Sequence, residues 1–294
     1  MPSPLRLHAA LFTVALLFTG NYIVSKLGMR EFAPLSFAWL RIAGAAIILS
    51  LVARNEAPLP REDARRIVLF AILGVVTNAP LFLFGLSLTS VQVAAILITT
   101  IPVFALGAAI LAGRERATVT RIGGIALACI GALLVVGGES FSGSWRSFAG
   151  ALMIILNCLS YALYLVISKP VMSRLSARAV VARMFAIGSV LLFPIAAWSL
   201  AKEQWSSISS GAWLALLLVI AGPTVAAYLL NAWALRHADS SVVAAYTYLQ
   251  PVLATILGAL VFGEEIRGVV VLAGAMIFTG VALAGRAAAG PVPE

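Results

Sequence analysis

Charge is scarce in this chain of 294 residues: 11% of them are charged and 62% are hydrophobic, where soluble domains carry about 25% charged residues. Mean hydropathy is +1.06, and no polar stretch is long enough to form a separate domain. A water-soluble globular enzyme is therefore excluded, which leaves a polytopic membrane protein. Cysteine is nearly absent. Cys129 and Cys158 lie in apolar runs without a CxxC or Cys/His grouping, which argues against a disulfide framework or a zinc site. Histidine is limited to His8 and His237, and no GxSxG occurs. An intramembrane enzyme would lack a nucleophile with its base and a metal cluster, so it is the last of the readings, and no metal or cofactor is expected. The 20 Lys+Arg outnumber 11 Asp+Glu for a net charge of +9, but they are scattered in ones to fours between apolar runs. A nucleic-acid binder would gather them on one surface.

What the sequence does have is apolar length. A window of about 20 residues, enough to cross a hydrocarbon core of about 30 Å, finds ten stretches near 7–27, 34–53, 67–88, 90–112, 119–137, 147–168, 178–200, 211–235, 240–262 and 269–286. The first follows Arg6 like a signal peptide, yet no small-x-small site follows it and Asn21, Tyr22 and Lys26 come instead. It reads as the first membrane helix. The third and fourth spans meet almost directly at Thr89. With the N-terminus inside, the cytoplasmic segments hold Arg6, Arg54, Arg61, Arg65, Arg66, Arg114, Arg116, Arg121, Lys169, Arg174, Arg178, Arg236 and Arg286, thirteen in all. The other face holds five, Lys26, Arg30, Arg146, Lys202 and Arg267. That asymmetry predicts both termini in the cytoplasm, and the expected location is the cell (inner) membrane, crossed many times.

The chain also repeats itself. A shift of 149 residues lays the fourth span on the ninth, matching Val93, Ala95, Pro102, Val103, Ala105, Leu111 and Glu115 with Val242, Ala244, Pro251, Val252, Ala254, Leu260 and Glu264. The same shift pairs Ala126, Gly131 and Leu134 with Ala275, Gly280 and Leu283. A shift of 143 places Ser25-Lys26 on Ser168-Lys169, and one of 142 places Arg41 on Arg183. Two five-span units follow, residues 1–144 and 145–294, integrated into one transport domain. Because five is odd, the second unit enters the bilayer inverted, and such a pair can expose a shared site to each side in turn.

The stretch Ala234-Leu235-Arg236 to Glu264, with Pro251-Val252-Leu253-Ala254 and Gly263-Glu264, resembles the drug/metabolite transporter superfamily, specifically its EamA type. The first half carries a looser copy in Pro102-Val103-Phe104-Ala105 and Gly113-Arg114-Glu115, with an arginine splitting the Gly-Glu pair. The resemblance covers essentially the whole chain. It implies an all-α fold of ten transmembrane helices, a central cavity, and export or exchange of small metabolites such as amino acids. The motifs identify the fold far better than the substrate.

Polar groups are expensive in hydrocarbon and should face the bundle interior or a wet cavity. Asn157, Tyr161, Tyr164 and Ser168 are spaced by 4, 3 and 4, which places them on one face of the sixth span. Their repeat counterparts for the last three are Phe18, Asn21 and Ser25. Such a stripe either lines the cavity or makes interhelical hydrogen bonds. Thr224, Tyr228 and Asn231 give a second stripe, and Thr77 with Asn78 sits beside Pro80. Pro80 and Pro223 each free a carbonyl one turn upstream, for a ligand or a neighbour. Thr99 and Thr100 precede Pro102, as Tyr246, Thr247, Tyr248 and Gln250 precede Pro251, so both prolines read as hinges. Arg41, beside Trp39, either binds a substrate carboxylate bidentately, with Arg183 as the only second cation, or snorkels. Lys26 reads as snorkelling, and Glu115 and Glu264 as loop caps or gate contacts.

These readings converge on an alternating-access carrier of a small solute, amino acids being the first class. Multidrug or other amphipathic-solute efflux is the rival. The expected solute-binding residues are Asn21, Arg41, Asn78, Thr99, Asn157, Tyr161, Tyr164, Tyr228, Asn231, Tyr248 and Gln250. The expected partners are the solute and the bilayer, and a monomer satisfies the two-repeat plan. No acidic residue falls inside the predicted spans, which favours a facilitator or exchanger over tight proton coupling.

Overall fold

A backbone in hydrocarbon has no water to bond, so it satisfies its own N–H and C=O groups along helices. The computed structural model describes residues 4–113, 117–141, 145–172, 174–235 and 249–286, and these are helical without a strand. Arg114, Glu115, Arg116, Arg236, His237, Tyr246, Thr247 and Tyr248 lie outside the described residues, as do the side chains of Asn231 and Arg286. Seven helical segments are long and apolar enough to cross a membrane, and three shorter apolar helices complete the ten.

Span 1 is Pro4–Gly28, span 2 Pro34–Val52, span 6 Trp145–Met172 and span 7 Ala177–Lys202. Span 9 is Leu249–Phe262 and span 10 Gly268–Arg286. Span 5, Val119–Phe141, runs past Gly137, where the sequence predicts its end. Span 4 is two helices, Val91–Ile98 and Ile101–Leu111. It starts directly after span 3, with Ser90 as N-cap accepting from Val93 N at 3.1 Å. Its break at Thr99-Thr100 sits just upstream of Pro102, whose ring and missing N–H interrupt the ladder.

Two irregularities are invisible to hydropathy. Span 3 joins Ala64–Ala71 to Asn78–Leu88 through a π-helical stretch, Ile72–Thr77. Span 8 joins Ser210–Val219 to Ala227–Leu235 through Ile220–Ala226. The two wide turns begin 148 positions apart, at residues 72 and 220, so they occupy equivalent places in the two halves. In span 8 the cause is visible. Pro223 cannot donate to the carbonyl of Val219, and the Thr224 hydroxyl does so instead at 2.7 Å.

Packing follows the repeat. Span 5 packs on span 10 and span 2 on span 7, while span 3 packs on span 6 as span 1 does on span 8. Exchanging the halves maps this set of contacts onto itself. The chain is therefore two inverted five-span repeats. The tightest crossing obeys the 149-residue register: a Cβ on Gly131 would lie 2.9 Å from the Ala273 carbonyl oxygen, and one on Gly280 would lie 2.5 Å from that of Gly124. Since 124 plus 149 is 273, these are one contact seen twice. Small residues let the two backbones meet where lipid supplies no hydrophobic drive. Gly113 and Gly263, the two glycines with positive φ among the described residues, at +67° and +64°, end spans 4 and 9 as a matched pair of left-handed turns.

Polar ties hold both membrane faces. On the face carrying the termini, buried Asp63 accepts from Arg66 at 3.2 Å and from Arg174 at 3.0 Å. On the opposite face Glu31 accepts from Ser209 N at 2.6 Å and Ser209 Oγ at 2.7 Å. Those two donors hold its carboxyl below the usual carboxylate range.

Candidate functional site

Polar side chains from both repeats meet in the middle of the bundle. Arg41 of span 2 is 9% exposed, and its Nε donates to Thr224 Oγ1 on span 8 at 2.7 Å. Thr224 thus accepts from Arg41 and donates to Val219 O, so its hydroxyl is oriented by both bonds. One turn further along span 8, the Tyr228 hydroxyl sits within the field of the guanidinium and near the Tyr161 hydroxyl. The Tyr161 and Tyr164 rings lie 5.5 Å apart. Phe18 meets Tyr228 edge-on at 6.4 Å, and Phe185 at 5.6 Å. Phe18, the repeat counterpart of Tyr161, thus packs against the Tyr228 ring.

This cluster can do two things chemically. It offers a fixed cation and three phenol hydroxyls to a solute's polar end, and aromatic walls to its apolar end. Thr224→Val should leave Arg41 Nε without its acceptor and lower unfolding stability in detergent by about 1–3 kcal/mol. An unchanged melting midpoint would remove Thr224 from the support of Arg41.

The other expected residues occupy defined places around it. Asn157 Nδ2 donates to the Asn78 carbonyl at 2.8 Å, and Asn78 Nδ2 to the Asn157 carbonyl at 3.5 Å. The two amides clamp span 3 to span 6. Asn21 Oδ1 accepts from Ser25 at 3.1 Å. Thr99 donates to Ile96 O and Thr100 to Leu97 O, both at 2.6 Å; their oxygens retain acceptor capacity. Gln250 Oε1 accepts from Tyr22 at 3.4 Å, joining span 9 to span 1. Pro251 is buried near the described start of span 9, and Tyr248 lies before it, outside the described residues. Arg183 is exposed and does not join Arg41, because its position on span 7 turns it away from the bundle. Trp39 is also turned away, donating to Ser189 O at 3.0 Å.

Three participants escape the spacing argument. Tyr22 follows Asn21 by one position and so lies off the stripe that a 4, 3 spacing selects, yet it packs on Phe82 at 5.7 Å. Phe185 carries no polar atom to mark it. Ser160, beside the stripe, donates to Leu73 O in the wide turn of span 3 at 2.8 Å. Gly74 is legible only in retrospect: a Cβ there would sit 3.1 Å from the Tyr164 ring.

A second polar assembly lies on the face opposite the termini. Glu264, at the end of span 9, accepts from Val91 N at 2.8 Å and Gln92 N at 3.2 Å, the unpaired donors at the start of span 4. Lys26 bonds Glu264 at 3.0 Å and the Thr89 carbonyl at 3.0 Å. Lys26 therefore ties spans 1, 4 and 9 together, in place of the snorkelling its sequence position suggests. A groove of about 360 Å³ on this face, lined by Pro34, Phe84, Trp198, Lys202 and Glu203 among others, is separate from the central cluster.

The EamA-like transporter family model matches residues 6–137 and again 148–286. A protein of Archaeoglobus fulgidus described as an uncharacterized transporter is 28% identical, over 92% of this chain and 96% of the other. The uncharacterized inner membrane transporter YedA of Escherichia coli is 26% identical, over 93% and 89%. Protein WALLS ARE THIN 1 of Arabidopsis thaliana is 22% identical, over 90% and 78%. A solved crystal structure superposes with a TM-score of 0.63 at 20% identity, over 98% of this chain and all of its own, a likeness of fold.

Proposed function

Since the chain belongs to the EamA-like transporter family, we propose that it moves a small amphipathic metabolite across an inner membrane by alternating access, with amino acids the first class to assay. It is a carrier and not an enzyme. Its termini face the cytoplasm, as the thirteen-to-five distribution of basic residues favours. One observation carries the reading: Arg41 and the hydroxyls of Tyr161, Tyr164 and Tyr228 gather between the two inverted repeats, at a depth where polar groups are retained for function. In this reading the Lys26–Glu264 assembly is the gate on the face opposite the termini. The broken span 4 and the wide turns of spans 3 and 8 supply flexure around the site. Among the described residues no carboxylate lies in the middle of a span, which supports facilitation or exchange over proton coupling.

Counterflow in liposomes across labelled amino acids, with and without imposed proton and sodium gradients, tests this. Flux should saturate and should persist without either gradient. Tyr161→Phe and Tyr228→Phe should each raise the half-saturation concentration about tenfold, the worth of one good hydrogen bond. Absence of solute-dependent flux for every compound would end the carrier reading.

A further inference from the structure

We infer that Arg41 receives a carboxylate, and that the preferred solute is a net monoanion with an aromatic or branched apolar body. This rests on the transport reading and names its substrate class. A guanidinium is charged at every physiological pH, and burying it without an anion is unfavourable. Arg41 is buried and has a hydroxyl, Thr224, as its hydrogen-bonding partner. Lys26, Arg66, Arg174 and Arg178, all near span ends, are paired with Glu264, Asp63, Asp63 and Glu56. Arg41 alone combines mid-bundle burial with no carboxylate among the described residues. Nε is held by Thr224, so the planar fork of Nη atoms keeps a fixed orientation and matches the two oxygens of a carboxylate.

Charge balance then separates solutes of one shape. A monoanion neutralises Arg41. A zwitterion adds an ammonium that needs its own carboxylate, and the described acidic residues, Glu31, Glu56, Glu62, Asp63, Glu139, Glu203, Glu264 and Glu265, all sit at span ends or in loops. A cation meets repulsion from Arg41 directly. The rings of Phe18 and Phe185 against Tyr228, with the Tyr161–Tyr164 pair, suit an aromatic or branched body.

The test uses the purified full-length protein at pH 7 and four compounds sharing a phenylpropyl skeleton: 3-phenylpropanoate, phenylalanine, 3-phenylpropanamide and 3-phenylpropylamine. Binding is read by calorimetry. The anion should bind at least tenfold tighter than phenylalanine and the amide, and at least a hundredfold tighter than the amine. Arg41→Gln should reduce the anion's affinity at least tenfold, and Arg41→Lys should fall between. The series on the unaltered protein stands even if Arg41 variants fail to fold. Equal or tighter binding of phenylalanine or the amide, or no saturable binding of the anion, overturns the inference. Amino-acid flux without anion binding would remove it and leave the carrier reading; anion binding without flux of any solute would do the reverse.

Discussion

Leucine in place of Gly280 is expected to destabilise the protein by about 3 kcal/mol or more, the upper range for overpacking a filled core. The obstacle is backbone: a Cβ there would stand 2.5 Å from the Gly124 carbonyl oxygen and 2.7 Å from Ala128 N, and neither can rotate away. Gly131→Leu should act alike, since its Cβ would press on the Ala273 carbonyl at 2.9 Å in the pseudo-two-fold-related half of the same crossing. Gly123, on the same helix as Gly131, has nothing within 4 Å of an added Cβ; Gly123→Leu is the control and should stay within about 0.5 kcal/mol. Detergent unfolding curves and monodispersity on size exclusion read all three. Similar behaviour of Gly280→Leu and Gly123→Leu would mean that spans 5 and 10 do not cross where described.

Glu264→Ala should loosen the closed face by about 2–4 kcal/mol, because two backbone donors at the head of span 4 and the Lys26 ammonium all lose one acceptor. At 1.4 kcal/mol per tenfold, the balance between closed and open forms shifts about thirtyfold or more. The chain supplies its own reporter. Cys158 is fully buried in span 6, with Sγ 3.4 Å from the Leu97 carbonyl. In a Cys129→Ser background, a membrane-impermeant maleimide applied from the Glu264 side should label Cys158 far faster in Glu264→Ala than in the parent. Equal labelling rates would show that this assembly is no barrier.

Apolar run length is enough to find the ten spans, because the cost of wetting hydrocarbon is written residue by residue. The abrupt passage from span 3 to span 4 at Thr89 was legible for the same reason. The repeat, too, lies on the surface of the sequence, and Gly131 with Gly280 proved to be a contact as well as an identity. Hydrogen-bond register is different. Nothing in Ile72–Thr77 distinguishes a π turn from an α turn by composition, since the difference lies in which carbonyl each N–H selects. Position in the 4, 3 stripe found Tyr161 and Tyr164, but their meeting with Tyr228 depends on the angle between two helices. Arg41 was visible as a charge in an apolar run, while its separation from Arg183 needed the rotation of span 7. Lys26 could be placed near a span end from the sequence, but its engagement with Glu264 requires knowing that spans 1 and 9 are neighbours.

The wide turns in spans 3 and 8 each hold one residue more than a regular helix of the same rise needs. Deleting one residue from Ile72–Thr77 would therefore restore ordinary winding with Asn78–Leu88 near its present phase, whereas one further inserted residue would turn everything downstream by about 100°, the angular step of one residue. Such an insertion would swing Asn78 off Asn157 while the helix barely changed length. Substitutions in these two stretches preserve the angular phase between the halves of each helix, whereas a one-residue insertion resets it, so the number of residues there bears on the site as directly as their side chains do.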